Sequence, residues 1–112
     1  MTRASAIADA LRQMLAALEA ERQALAALDI DALSLALRDK EHLCGMLQDA
    51  QAPELDAESL SLAHAARAAN EVNRRVRNLV AANVAARLDT LTGANGLYRA
   101  PRGGDRWPEV RA

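Results

Sequence analysis

The stretch AESLSLAHAARAANEVNRRVRNLVAANVAARLDTLT, residues 57–92, decides how the rest of the chain can fold. It contains no glycine or proline and consists mostly of Ala, Leu, Val, Arg and Asn, so it predicts one uninterrupted helix. At about 1.5 Å per residue this helix would be roughly 54 Å long. The preceding segments, residues 5–28 and 32–50, predict helices of only about 36 and 28 Å. The long helix should therefore have an end that this hairpin does not reach.

The composition favours a single all-helical domain. Of the 112 residues 51% are hydrophobic, but 27 are alanines, and the chain has no Phe, one Trp and one Tyr. Small residues allow helices to pack closely and give a sheet little to bury. The net charge of −1 argues against a protein that binds nucleic acids or acidic membranes.

Cysteine usage and hydropathy predict a cytoplasmic protein. The sequence shows neither a signal-peptide pattern nor an apolar run long enough for a transmembrane helix. The single cysteine, Cys44, excludes an internal disulfide, fits a reducing compartment, and is predicted to be a small core residue.

Apolar residues in the first two segments recur at helical spacing and predict an antiparallel hairpin. Ser5 is the predicted N-cap of the first helix and Asp31 that of the second. Because the connection around Ile30 is short, the two helices should lie side by side. The predicted contact seams are Ile7, Leu11, Met14, Leu18, Leu25 and Leu28 on the first helix, and Leu33, Leu37, Cys44 and Leu47 on the second.

Each of these seams contains one charged residue, Glu21 on the first helix and Lys40 on the second. In a hairpin that turns at Ile30, residues whose numbers sum to about 60 face each other, so these two should meet. One interpretation is that both side chains extend to solvent. The other is an interhelical ion pair that fixes the register of the hairpin and adds little net stability.

Pro53 interrupts the helical pattern, and Asp56 or Ser59 is the predicted N-cap of the third helix, residues 57–92. Asn73 is predicted to set its register by hydrogen bonding within the bundle. The predicted contact seam is Leu62, Ala66, Ala69, Val72 or Asn73, Val76 and Val80. The expected fold is an elongated antiparallel three-helix bundle or coiled coil, residues 1–92.

The hairpin should cover the third helix to about Val80, leaving an apolar stripe beyond it that predicts a binding surface. The residues predicted to bind a partner there are Val80, Asn83, Val84, Arg87, Leu88 and Leu91. Residues 93–112 are glycine- and proline-rich and predict a flexible tail. Tyr98 and Trp107 lie in this tail, which is either a linear docking motif or inert.

The sequence shows no pattern typical of an enzyme or a metal protein. His42 and His64 have no second ligand at metal-binding spacing. No phosphate-binding loop, nucleophile motif or carboxylate pair is present. We therefore expect neither catalysis nor a cofactor.

Several segments, taken in order, resemble the FlgN-type flagellar export chaperones. LEAERQAL (18–25), DAL (31–33) and KEHL (40–43) are similar to the N-terminal hairpin of that family, and NEVNRRV (70–76) to its asparagine-bearing third helix. Tyr98 and Gly103 resemble the family's Tyr-Asp and later Gly, with Arg99 in place of the Asp. The resemblance covers residues 7–103.

The resemblance implies a cytoplasmic chaperone of flagellar type III export that binds the C-terminal helical region of hook-associated, or hook–filament junction, proteins. It would prevent their premature assembly and deliver them to the export apparatus. In that family the client contacts the C-terminal half of the third helix, and a tyrosine such as Tyr98 docks on the cytoplasmic domain of the export gate. The export ATPase is a further implied partner, and a monomer or weak dimer is expected. The alternatives are a self-associating coiled-coil structural protein and a helical adaptor or regulator.

Overall fold

The computed structural model describes residues 2–51 and 55–93. They form three α-helices, α1 (Arg3–Ala27), α2 (Ile30–Leu47) and α3 (Ala57–Leu88), followed by a short π-helix, Asp89–Gly93. Within these ranges there is no β-strand, and the helices pack against one another. The predicted all-helical fold with a long third helix is therefore confirmed.

Each helix begins at a side chain that accepts a hydrogen bond from a backbone amide three residues later. Thr2 Oγ1 accepts from the amide of Ser5 at 3.0 Å, Asp29 Oδ1 from Ala32 at 3.0 Å, and Asp56 Oδ1 from Ser59 at 2.8 Å. The predicted N-caps Ser5 and Asp31 are wrong, because Thr2 and Asp29 already satisfy the free amides and start both helices earlier. Asp56 is the cap of α3, one of the two predicted alternatives.

The turn between α1 and α2 is formed by Leu28 and Asp29. Leu28 has φ 56° and ψ 39°, in the left-handed region. The amide of Leu28 donates to the carbonyl of Leu25 at 3.2 Å and that of Asp29 to the carbonyl of Ala24 at 3.0 Å, the two bonds of a Schellman motif. Leu28 was predicted to lie in the α1 seam, but it is 57% exposed, because its left-handed conformation ends the helix.

The hydrophobic core is supplied mainly by α1. All predicted seam residues of this helix other than Leu28 are buried, from Ile7 to Leu25. Its central cluster consists of Ala10, Met14, Ala17 and Leu18 from α1, Leu43 from α2 and Ala66 from α3. Leu15, Leu47 and Ala69 pack against this cluster.

The buried face of α2 differs from the predicted one. Leu37 and Cys44 are exposed, and Ala36 and Leu43 are buried instead. Leu33, Lys40 and Leu47 are seven residues apart. Either pair completes a seam with them, because both Leu37 with Cys44 and Ala36 with Leu43 divide the heptads into steps of three and four residues. The small Ala36 lets α2 approach α1 closely, and the set that contains Ala36 is the one buried. The prediction that Cys44 is a core residue is therefore wrong.

The seam of α3 follows a strict heptad of small and polar residues. Ser59, Ala66 and Asn73, seven residues apart, are buried. Leu62, Ala69 and Val76, also seven apart, are half-buried. Val72 and Asn73 were the predicted alternatives for one seam position. Val72 is exposed and Asn73 is buried, so Asn73 lies in the seam. Because no large apolar side chain of α3 is fully buried, its packing depends largely on polar contacts such as those of Asn73.

The structure divides into two compact units at the boundary between Asn78 and Leu79. The first contains α1, α2 and the part of α3 up to Asn78. Its core is the central cluster of Ala10, Met14, Ala17, Leu18, Leu43 and Ala66. The second contains the end of α3 and the π-helix Asp89–Gly93. Apart from Gly93, the predicted tail lies outside the described residues.

Candidate binding surface

The end of α3 presents a row of large aliphatic side chains. Val84, Leu88 and Leu91 are between 39% and 75% exposed, and Val80 is half-buried. Steps of four residues place Val80, Val84 and Leu88 on one side of α3, and Leu91 follows in the π-helix Asp89–Gly93. We call Val80, Val84, Leu88 and Leu91 the α3 stripe. Apolar side chains gathered on one helix face are typical of a surface that binds a partner.

The polar residues predicted with the stripe are also exposed. Asn83 and Arg87 lie four residues apart on α3, beside the stripe. Arg87 is in the last turn, where a positive charge interacts favourably with the helix dipole. Leu79 is strongly exposed as well and was missed. Its spacing of four residues from Asn83 is the signal that would have found it.

The π-helix Asp89–Gly93 extends this end of the chain beyond the last α-helical residue. The hydroxyl of Thr90 donates to the carbonyl of Ala86 at 3.1 Å, and that of Thr92 to the carbonyl of Leu88 at 2.7 Å. These hydroxyls supply hydrogen bonds to backbone carbonyl oxygens at the point where the α-helix changes to a π-helix. Short π-helices occur often at functional sites.

Tyr98, predicted to dock on the export gate, lies outside the described residues, as does Trp107. The remaining predicted positions, Glu21, Lys40 and Asn73, all belong to the first unit.

Glu21, Lys40 and Asn73 meet between the three helices. Lys40 Nζ donates to Glu21 Oε1 at 3.1 Å, and Asn73 Nδ2 donates to the same oxygen at 2.9 Å. Glu21 is fully buried, and the side chain of Lys40 is 19% exposed. The two charged residues of the hairpin seams thus face each other as an ion pair rather than extending into solvent.

Two arginines that the sequence reasoning missed complete this arrangement. Arg77 donates to Glu21 Oε2 at 3.0 Å, and Arg22 donates to Asn73 Oδ1 at 3.2 Å. Arg77 lies one turn after Asn73 on the same face of α3, which is the signal that would have indicated it. We call Glu21, Lys40, Asn73 and Arg77 the Glu21 cluster.

The electrostatics of the cluster keep Glu21 ionised. Burial disfavours the charged carboxylate, but the hydrogen bonds from Asn73 and Lys40 and the charges of Lys40 and Arg77 outweigh this effect, so the pKa of Glu21 lies below its ordinary value. Both carboxylate oxygens already accept hydrogen bonds. Glu21 is therefore not available as a general base, and the cluster is suited to holding the helices in register.

Asn73 ties α3 to the backbone of α1 as well. Its Nδ2 donates to the carbonyl of Leu18 at 2.8 Å. Nearby, Lys40 Nζ donates to Asn70 Oδ1 at 2.8 Å and connects α2 with α3. A shift of α3 by one residue would break all of these contacts, so they specify its register on the hairpin.

Across residues 2–51 and 55–93, no three His, Cys, Asp or Glu side chains are grouped so that they could hold a metal ion. None of the described helices has the length and apolarity required to cross a membrane. The chain matches no protein-family model, no curated protein and no solved structure.

Proposed function

We propose that this chain is a chaperone of flagellar type III export that acts in the cytoplasm, and that its client is the C-terminal helical segment of a hook-associated protein. The observation that carries the proposal is the exposed α3 stripe, which lies in the half of the third helix where the resembled family contacts its clients. The order of the segments 18–25, 31–33, 40–43 and 70–76 supports the same assignment.

Recognition would place an amphipathic client helix along the α3 stripe. Val84, Leu88 and Leu91 supply the exposed apolar area. Fully burying one such side chain contributes about 1.5–3 kcal/mol, whereas association costs about 4–15 kcal/mol in lost freedom. The three side chains together contribute at most about 4.5–9 kcal/mol, so the stripe alone supports only weak binding, which suits a carrier that must release its client at the export apparatus.

The export apparatus is the second proposed partner. In the resembled family a tyrosine after the third helix docks on the cytoplasmic domain of the export gate, and Tyr98 takes that position in this sequence. Arg99 replaces the acidic residue that follows the tyrosine in the family, so the contact made by this chain would carry the opposite charge there. The export ATPase is proposed as a further contact. In both cases the chain acts as a binding protein and not as an enzyme.

The experiment that tests the proposal is a light-scattering measurement of the mass of the full chain. It is made alone and then with a peptide from the C-terminal end of a hook-associated protein. We expect a monomer or weak dimer that forms a one-to-one complex with the peptide. A tight dimer that ignores the peptide would show that the stripe serves self-association in a structural coiled coil. A monomer that ignores the peptide would favour an adaptor for a different helical partner.

A further inference from the structure

The first unit has a second concave surface, between α1 and α2. A groove of about 340 Å³ is lined by Gln13, Ala16, Ala17 and Ala20 from α1 and by Asp39, His42 and Leu43 from α2. No residue of α3 lines it. The side chains of α1 that bond to α3, which are Arg12, Glu21 and Arg22, do not line it either. We call this surface the α1–α2 groove.

The two walls of the groove suit a helix. On α1, Ala16 and Ala20 are exposed and one turn apart, so a partner helix can approach to about 8 Å. On α2, Leu35, Asp39, His42 and Met46 follow one another in steps of four, three and four residues and share one side of the helix. Leu35 and Met46, at the two ends of this row, are 58% and 56% exposed.

The length of the row and its two aliphatic ends indicate the kind of occupant. From Leu35 to Met46 the row extends over about 16 Å, or three turns of a partner helix. Leu43 forms the buried floor. Leu35 and Met46 are not among the lining residues, but they flank the groove on the same side of α2 and offer exposed aliphatic surface. A partner helix with small apolar residues along one face would bury Leu35 and Met46 and pack beside α1 and α2.

The charge of the groove selects the partner further. Asp39 is the only Asp, Glu, Lys or Arg among the described lining residues, and its carboxylate has no ion-pair partner among them or elsewhere in the described ranges. Asp31, one turn before Leu35 in the same row, is also exposed and unpaired within the described ranges. The neighbouring Arg38 does not line the groove. A second copy of this chain is disfavoured here, because a symmetric contact would bring two Asp39 carboxylates into one interface whose described lining contains no lysine or arginine.

We propose that the α1–α2 groove is a second docking site, which binds a short cationic amphipathic helix of a partner protein. Lysine or arginine side chains beside the apolar face of that helix would lie against Asp39 and Asp31. The groove belongs to the first unit and the α3 stripe to the second, and the two surfaces share no residue. The proposal does not depend on the identity of the client that binds the stripe.

A synthetic peptide tests this site directly. The probe is a fluorescent helix of about 14 residues, roughly 21 Å long, with Leu and Ala along one face and Lys on both flanks. A counterpart with Glu in place of Lys is the charge control. Binding to the full chain is measured by fluorescence anisotropy. We expect the Lys peptide to bind and the Glu peptide to bind at least about tenfold more weakly.

Two variants of the chain locate the peptide, each with a matched control on another surface. Ala16→Arg fills the groove, and Ala65→Arg makes the same change at an exposed position of α3. Asp39→Lys reverses the charge of the lining, and Glu41→Lys makes the same change in charge on the other side of α2. We expect Ala16→Arg and Asp39→Lys each to raise the Kd about tenfold or more, and both controls to change it less than about twofold. Circular dichroism confirms that each variant is folded.

The remaining outcomes overturn the proposal. Absence of binding by the Lys peptide would do so, as would equal weakening by Asp39→Lys and Glu41→Lys, which indicates diffuse attraction to a charged surface. Loss of peptide binding in Leu88→Asp would place the peptide on the α3 stripe instead. A dimer that is disrupted by Ala16→Arg would show that a second copy occupies the groove. In contrast, failure of the hook-associated peptide to bind would contradict the chaperone proposal and leave this one intact.

Discussion

Glu21 Oε1 lies 2.9 Å from Asn73 Nδ2, and neither residue is exposed to solvent. Asparagine is a poor helix former, and a buried amide without partners is costly. In this chain the amide of Asn73 donates to Glu21 and to the carbonyl of Leu18 and accepts from Arg22. The contact therefore replaces apolar packing with directional bonds at the position where α3 meets α1.

Replacing Asn73 with Ala should lower the free energy of unfolding by about 1–3 kcal/mol, because Glu21 loses a buried donor and a small cavity remains. Asn70→Ala is the matched control. Asn70 lies on the same helix and bonds to Lys40, but it is exposed, so we expect a change within about 0.5 kcal/mol. Urea unfolding followed by circular dichroism measures both values. Equal losses in the two variants would contradict a special role for the buried amide.

The stability of the chain should depend on pH through Glu21. Its pKa is lowered in the folded state, so its contribution is complete above its unfolded pKa of about 4.3 and is lost as the pH falls through the folded value. Glu21→Gln should lower the free energy of unfolding by about 1–3 kcal/mol at neutral pH, because Lys40 and Arg77 lose their counter-charge. The difference between wild type and variant should shrink towards pH 3.

Thermal unfolding at a series of pH values between 3 and about 7 provides this comparison. Glu19, Asp56 and Glu71 also have pKa values lowered by local hydrogen bonds. Both proteins contain these groups, so their effect cancels in the difference. A difference that stays constant over the whole range would mean that ionisation of Glu21 does not stabilise the fold.

The three helices and the meeting of Glu21 with Lys40 were predictable because local rules govern them. Neither α1 nor α3 contains glycine or proline. The turn at Leu28 and Asp29 is so short that it fixes which residues of α1 and α2 face each other. The spacing of Arg77 from Asn73 places it on the same face of α3, but it does not identify Glu21 as its partner, because the sequence of residues 48–56, which connect α2 with α3, does not determine the register of α3.

Two further features depend on competition between nearly equivalent arrangements. The heptad of α2 accepts either Leu37 and Cys44 or Ala36 and Leu43, and only packing in three dimensions selects the second pair. At the other end of the chain, the change from α-helix to π-helix after Leu88 accompanies hydrogen bonds from the hydroxyls of Thr90 and Thr92. Side-chain spacing alone carries no information about that change.

The start of α2 offers a direct test of the capping residue. Asp29→Ala should lower the free energy of unfolding by about 1 kcal/mol, because the amide of Ala32 loses its acceptor. Asp29→Asn should be nearly neutral, since asparagine caps as well as aspartate. Asp31→Ala should cost less than half as much as Asp29→Ala, because Asp31 interacts only with the helix dipole. Urea unfolding distinguishes the variants, and a larger loss from Asp31→Ala would reassign the cap.

Leu88 provides the sharpest test of the α3 stripe. It is 54% exposed, so Leu88→Asp should leave the free energy of unfolding within about 1 kcal/mol of wild type. A carboxylate in the middle of an apolar interface should weaken binding of the hook-associated peptide at least about tenfold, or by about 1.4 kcal/mol. Ala82→Asp is the control, because Ala82 is exposed on the opposite side of α3 from the stripe.

Titration calorimetry measures the binding of both variants, and urea unfolding measures their stability. Strong destabilisation by Leu88→Asp would show that Leu88 is a core residue of its own unit. Equal weakening by Ala82→Asp would show that the added negative charge, and not the apolar stripe, governs the affinity. The proposed client site on the α3 stripe requires that Leu88→Asp weaken binding, that Ala82→Asp leave it unchanged, and that both variants remain folded.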